Sequence, residues 1–239
     1  MEPPRPFGQP RRHLRSAAST NDIARELAAG GAPTGSVVTA DEQSAGRGRQ
    51  GRSWVAPRGK ALLCSYVLRG LDEEHSLLPL AVPLAVCEAA EEVGAPPCRV
   101  KWPNDVLVEE RKLAGVLIEA RPREGWAVIG VGLNVELTPE ELPAELHDRA
   151  ASIGGDATVA AALAALNRSL AEWTVPDPER VLEEYRSRDA LRGREVSWAD
   201  GEGVAEGVDE AGSLLVRTDD GPVALGAGEI HLRIGSARD

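Results

Sequence analysis

Between Arg99 and Val135 the chain sets four short runs of β-forming residues almost end to end: Arg99 to Trp102, Val106 to Val108, Leu113 to Glu119 and Trp126 to Val135. Runs this short, broken by turn residues, are strand-length segments. Glu109 to Arg111 separates two of them by a tight turn and predicts a hairpin. A sheet is therefore obligatory, and the rest of the chain has to cover it. Val37 to Ala40 and Ala61 to Leu68 read as further strands. Asn21 to Ala29 predicts a helix, entered through Ser19, Thr20 and Asn21 and stopped by Gly30 and Gly31. Ser76 to Val93 is apolar and alanine-rich enough for a buried helix, with Pro79 and Pro83 near its start or kinking it, and Thr158 to Trp173 and Pro178 to Arg188 predict two more. The fold class expected is α/β (α+β), a mixed β-sheet backed by helices.

From about Leu191 the texture changes. Short runs at Glu195 to Trp198, Gly203 to Val208, Ser213 to Thr218 and Pro222 to Leu225 are separated by Asp/Gly turns, the pattern of a small β-barrel. The expected division is a domain over residues 1–190 and a second over 191–239, packed directly on each other for want of a low-complexity linker.

Composition narrows the function. A net charge of -11 argues against nonspecific nucleic-acid binding, which needs a basic footprint. No stretch reaches the roughly 18 apolar residues of a membrane span, and residues 1–18 carry prolines and arginines with no apolar signal region, so no membrane partner and a cytoplasmic location are expected. Cys64, Cys87 and Cys98 form neither a CxxC nor a Cys/His cluster, and read as idle thiols. Only Lys60, Lys101 and Lys112 are lysines among 27 basic residues. Where lysine survives such a bias toward arginine, a compact flexible ammonium is a candidate requirement.

Four segments carry candidate chemistry. Gly46-Arg47-Gly48-Arg49-Gln50-Gly51-Arg52-Ser53-Trp54 places three arginines and three glycines in seven residues with no acid, as an anion-wrapping loop or a solvated basic turn would. Lys101-Trp102-Pro103-Asn104-Asp105 ends a strand with a cation, an amide and a carboxylate, in the manner of a functional strand end or of an ordinary turn. Arg111-Lys112-Leu113-Ala114-Gly115 starts the next strand, and hairpin geometry offers to bring Lys112 to the same sheet end as Lys101. Gly130-Val131-Gly132-Leu133-Asn134 ends in an amide suited to a base or backbone contact, and without a third glycine or a following helix it is no dinucleotide fingerprint.

In this order the four segments resemble the catalytic core of biotin protein ligases, also called biotin-[acetyl-CoA-carboxylase] ligases. GRGRQGRSW is similar to that family's biotin-binding loop, and KWPNDV, RKLAGVLIE and GVGLNV to its next three blocks; the resemblance runs from Ser19 to the chain end. It implies an SH3-like C-terminal domain and a two-step reaction. Biotin is activated with MgATP to biotinoyl-5'-AMP, then transferred to a lysine of a biotin carboxyl carrier protein or domain, by a monomer or weak homodimer. It further implies that Ser19, Thr20, Asn21, Gln43, Gly46, Lys112 and Gly115 help hold biotin, that Arg47, Gly48 and Arg49 close over it, and that Trp54 walls the site. Arg49, Arg52, Lys101, Asn104, Lys112 and Asn134 are then expected on ATP, with Lys112, Arg49 and Asp105 as catalytic residues and Asp105 on the incoming lysine, on Lys112 or on magnesium; the metal ligands stay unassigned. The 18 residues before Ser19 are too few for the DNA-binding domain of bifunctional members, and 137–152 offers no aromatic residue for adenine. The rival readings are a lipoate or octanoate ligase of related fold and, in a different class, a ligand-binding transcriptional regulator.

Overall fold

The computed structural model describes residues 7–175, 177–226 and 231–232. The outermost parts of the two expected domains, 1–6 and 233–239, and the stretch 227–230 lie outside the described residues. Seven strands form the main sheet: β1 (Arg11–Leu14), β2 (Val37–Ala40), β3 (Ala61–Arg69), β4 (Arg99–Lys101), β5 (Asp105–Val108), β6 (Arg111–Arg121) and β7 (Trp126–Asn134). Their spatial order is β1-β2-β3-β7-β6-β5-β4. β1 and β2 run parallel and every other neighbouring pair antiparallel, so the sheet is mixed as expected. β1 is new. Its RRHL sequence shows no apolar alternation because it is an edge strand with three exposed residues.

The helices are α1 (Thr20–Ala29), α2 (Leu78–Glu92), α3 (Val159–Trp173) and α4 (Pro178–Arg188). α2 starts two residues later than expected, after a 3-10 turn over Glu73–Leu77, with Pro79 in its first turn and Pro83 inside it. Strand alternation sorts the sheet's two faces. Leu62, Cys64, Tyr66, Leu68, Ile129, Val131 and Leu133 join the large core under α2, α3 and α4. Val38, Val67, Trp126 and Val128 point the other way, onto Ala24 and Ala28 of α1.

That second face is only half covered. Continuing along β7 from Val128, the side chains on the α1 face vanish at Gly130 and Gly132, which pair with Ser65 and Leu63 of β3; Gly115 of β6 lies opposite Gly132. The result is a hollow in the sheet just beyond the N-terminus of α1.

β8 (Glu195–Trp198), β9 (Gly201–Val208), β10 (Leu214–Thr218), β11 (Gly221–Leu225) and β12 (His231–Leu232) form an antiparallel sheet in the order β11-β10-β9-β8-β12. Its Val196, Ala205, Val208, Leu214 and Val216 belong to the same apolar cluster as α2 and Tyr185, so the two parts do pack directly. The Trp102 indole N–H donates to the Gly212 carbonyl at 3.0 Å and ties the KWPND segment to this sheet.

At the junction Asp189 is buried, its Oδ1 accepting from Leu191 N at 2.8 Å while Oδ2 has no hydrogen-bond partner among the described residues. Burial raises its pKa, against the backbone N–H groups of Leu191 and Arg192 and the charges of Arg99 and Arg192. The folded state then holds this proton more tightly than the unfolded chain, so the carboxylate costs stability above the raised value. That cost fades as pH falls toward the ordinary aspartate range. Asp189→Asn keeps the Oδ1 acceptor and is expected to raise the thermal midpoint at neutral pH, with the gain shrinking on acidification; a midpoint scan from neutral to acidic pH checks it.

Candidate active site

The hollow opens into a cavity walled by the start of α1, the 46–54 loop, the β4–β5 turn and the β5–β6 hairpin. One irregularity in the strands explains how the charged groups reach it. In the β5–β6 ladder Asp105 faces Gly115 and Val106 faces Ala114, but Leu107 faces Lys112, so Leu113 is an extra residue and the register shifts. Without that bulge Lys112 and Asp105 would lie on opposite faces of the sheet. With it they share one, and Lys112 Nζ meets Asp105 Oδ1 at 2.7 Å. Lys101 pairs with Asp105 across the β4–β5 ladder and shares the face too. The backbone of Lys112 is clamped from outside, donating to Arg149 O at 2.7 Å and accepting from Ala151 N at 2.8 Å.

The hollow's floor is cut to fit two side chains. A Cβ at Gly132 would lie 2.5 Å from Trp54 Cε2, and one at Gly130 would lie 2.1 Å from Asn21 Oδ1. Trp54 thus walls the cavity over Gly132 and Gly115, with Lys112 Nζ 5.5 Å from its ring centroid. At the other end Thr20 donates from N (2.7 Å) and Oγ1 (3.0 Å) to Gln43 Oε1. Asn21 Nδ2 donates to Glu119 Oε2 at 2.8 Å, and Ser65 Oγ lies 2.6 Å from Asn21 Oδ1 and 2.7 Å from Thr20 Oγ1. Ser19 is the N-cap residue of α1, with an extended backbone and no side-chain cap hydrogen bond.

Electrostatically the cavity contrasts with the acidic chain around it. Arg47, Arg49, Arg52, Lys101 and Lys112 line it against one carboxylate, Asp105. Burial lowers the pKa of Lys101; Asp105 opposes this, while Lys112, Arg52 and Arg149 reinforce it. Burial likewise lowers that of Arg49, again opposed by Asp105. These are cations packed closely with too few counter-charges, and a polyanion would relieve them. Cys64 also borders the cavity, but burial pushes its thiol up to about 12, which leaves it protonated and no nucleophile.

Of the residues expected from sequence, Ser19, Thr20, Asn21, Gln43, Arg47, Gly48, Arg49, Arg52, Trp54, Lys101, Asn104, Asp105, Lys112 and Gly115 converge here. Gly46 lies behind the wall, where a Cβ would come within 2.6 Å of Trp54 O, so it shapes the loop. Asn134 is buried away from the cavity lining, donating to Ala151 O at 2.9 Å and Lys112 O at 3.4 Å; it fastens the segment that clamps Lys112. Asn104 donates to Val116 O at 2.8 Å. Sequence reasoning missed Ser65 and Arg149, which stand in no motif, and Glu119, which ends the RKLAGVLIE block without having been singled out. Alternation along β3 and β6 from Leu63 and Gly115 would have put Ser65 and Glu119 on the cavity face. Among the described residues no group of three or more His, Cys, Asp or Glu side chains converges as a metal site.

Residues 14–136 match the model of the Biotin/lipoate A/B protein ligase family, and residues 192–233 that of the Biotin protein ligase C terminal domain. The chain is 34% identical over 238 residues to the biotin-[acetyl-CoA-carboxylase] ligase of Mycobacterium tuberculosis, covering 92% of this chain and 88% of that one. It is 39% identical over 142 residues to the bifunctional ligase/repressor BirA of Bacillus subtilis, covering 57% of this chain and only 43% of that relative's length. Its fold is similar to that of the biotin protein ligase from Aquifex aeolicus in complex with biotin and ATP, with a TM-score of 0.78 and 30% identity over 94% of this chain and 99% of the other. It is also similar to the enzyme from Leishmania major in complex with biotinyl-5-AMP, with a TM-score of 0.61 and 27% identity over 91% and 98% of the two chains.

Proposed function

Because the chain belongs to the biotin/lipoate A/B protein ligase family, we propose that it is a biotin protein ligase, which activates biotin with MgATP and passes it to a lysine of a biotin carboxyl carrier domain. The observation that carries this is the union in one cavity of a glycine-floored hollow, closed at one end by amide and hydroxyl groups, with a cationic rim at the other. A bicyclic urea with an acid tail has that polarity.

The ureido end of biotin sits against Thr20, Asn21 and Gln43, and its rings lie over Gly130 and Gly132 beneath Trp54. The carboxylate then points at Lys112. Bringing it to the α-phosphate places two anions side by side, which Arg49, Arg52, Lys101 and Lys112 offset by preorganised charge. A carboxylate oxygen attacks the α-phosphorus, the bond to the β-phosphate bridging oxygen breaks, and pyrophosphate departs with the magnesium it brought. As negative charge moves onto Lys112's ligands, its pair with Asp105 loosens. Asp105 is then placed to accept a proton from the carrier's ammonium, freeing an amine that attacks the acyl carbon and expels AMP. The three free thiols are buried, which suits a reducing cytoplasm. The carrier meets a monomer or weak homodimer.

Pyrophosphate release with MgATP and, in turn, biotin, lipoate and octanoate tests the reading. Release with biotin alone is expected; release only with lipoate or octanoate would assign the chain to the other branch of the family.

A further inference from the structure

We propose that Ser65 is a positioning residue that lets Thr20 act as a hydrogen-bond acceptor at the closed end of the cavity, and so sets the preference there for a ligand bearing an N–H group. Ser65 is fully buried on β3, opposite Gly130 of β7, and stands behind Thr20 and Asn21, which line the cavity. The reaction above makes no use of it. A buried hydroxyl still has to spend its proton and its lone pairs, and here its neighbours dictate how.

Asn21 is fixed first. Its Nδ2 faces Glu119 Oε2 at 2.8 Å and Leu117 O at 3.4 Å, groups that only accept, so its Oδ1 is the atom turned to Ser65 Oγ at 2.6 Å. An amide oxygen has no proton to give, and a serine hydroxyl has one. That proton goes to Asn21, and a Ser65 lone pair is left facing Thr20 Oγ1 at 2.7 Å. The single hydroxyl proton of Thr20 therefore has two acceptors within reach, Gln43 Oε1 at 3.0 Å and Ser65 Oγ at the shorter distance. Gln43 Oε1 keeps the Thr20 backbone N–H at 2.7 Å in either case. A ligand N–H arriving between Thr20 and Gln43 turns the Thr20 proton back onto Ser65 and meets two oxygens that both accept. Without Ser65 that proton stays on the cavity side, where it suits a ligand oxygen better than an N–H. The N–H is that of the ureido ring, a consequence that rests on the biotin reading; the direction of the Ser65 hydroxyl does not.

Neutron diffraction from ligand-free crystals grown in D2O reads the hydroxyl directly: the Ser65 deuteron is expected on Asn21 Oδ1, and a deuteron on Thr20 Oγ1 would overturn the proposal. Isothermal titration reads the preference, with biotin and its two cyclic carbamate analogues, each carrying a ring oxygen in place of one ureido N–H, as probes. The wild type is expected to bind biotin about 30-fold or more tightly than the analogue it rejects more strongly, since that oxygen leaves two buried acceptors unpaired. Ser65→Ala should weaken biotin by about tenfold while bringing the same analogue to within about threefold of it, because the freed Thr20 proton now meets the ring oxygen. Ser65→Cys keeps a weak donor and acceptor and should fall between the two. Equal losses on biotin and analogue in Ser65→Ala, with the preference kept, would make Ser65 a packing residue and overturn the proposal, as would a wild type that shows no preference. If the wild type binds no biotin, the functional reading fails, and the diffraction still decides the direction of Ser65.

Discussion

Lys112→Ala is expected to lose at least about a hundredfold in adenylate formation, the usual cost, roughly 3 kcal/mol, of removing one preorganised donor from a developing charge. The reason is positional. The bulge at Leu113 turns Lys112 onto the face of Asp105, and the Arg149–Ala151 segment clamps its backbone, so its ammonium projects between the hollow and the cationic rim. The side chain is 37% exposed and its pair with Asp105 is the ion pair it forfeits, so the thermal midpoint should move little. Lys112→Arg should not rescue the rate. The Lys112 Nζ lies 3.2 Å from where a Gly115 Cβ would be, and a planar fork needs more room than a point charge. Single-turnover pyrophosphate release with a parallel melting curve checks both variants; near-normal release by Lys112→Ala would remove it from the chemistry.

Gly130→Ala is expected to be nearly as severe, but in a different constant. The new methyl would stand 2.1 Å from Asn21 Oδ1, and Asn21 has little freedom to retreat while Ser65 and Glu119 hold its amide. Displacing that amide breaks several hydrogen bonds in a buried corner at about 1–3 kcal/mol for each group left unsatisfied, which corresponds to a biotin KM raised roughly 10- to 100-fold, with ATP affinity largely kept. The double variant Gly130→Ala/Asn21→Ala should be no worse than Asn21→Ala alone, since the clash and the amide are then both gone. Isothermal titration with biotin, across the four proteins of that cycle, measures it. Additive losses would mean that the methyl acts somewhere other than on Asn21.

These two residues also mark how far the sequence could be read. The strands between Arg99 and Val135 are legible because their alternation and turn chemistry are local, and Glu109 and Glu110 indeed take positive φ values of 47° and 68° in the hairpin turn. The basic loop and the KWPND and RKLAG segments were recognisable as chemistry, and most of their residues do meet. What sequence could not supply was register. Gly130 and Gly132 read as weak evidence in isolation, and their purpose appears only when strand pairing sets them opposite Ser65 and Gly115 and under Asn21 and Trp54. The single-residue bulge that puts Lys112 beside Asp105 is likewise invisible in RKLAG itself. Asn134 shows the opposite error. An amide at the end of a glycine-rich strand looked like a base contact, and its donors are spent on Ala151 and Lys112. Edge strand β1 was missed because exposure on an edge removes the pattern by which strands are found.

The two-step reaction is tested most directly by the mass of the acceptor. A purified biotin carboxyl carrier domain incubated with this protein, MgATP and biotin should gain one biotinoyl group on one lysine, and none when that lysine is replaced by arginine or when ATP is left out. An unmodified carrier alongside steady pyrophosphate release would contradict transfer from this site, and an unmodified carrier with no release would contradict the assignment of the cavity itself.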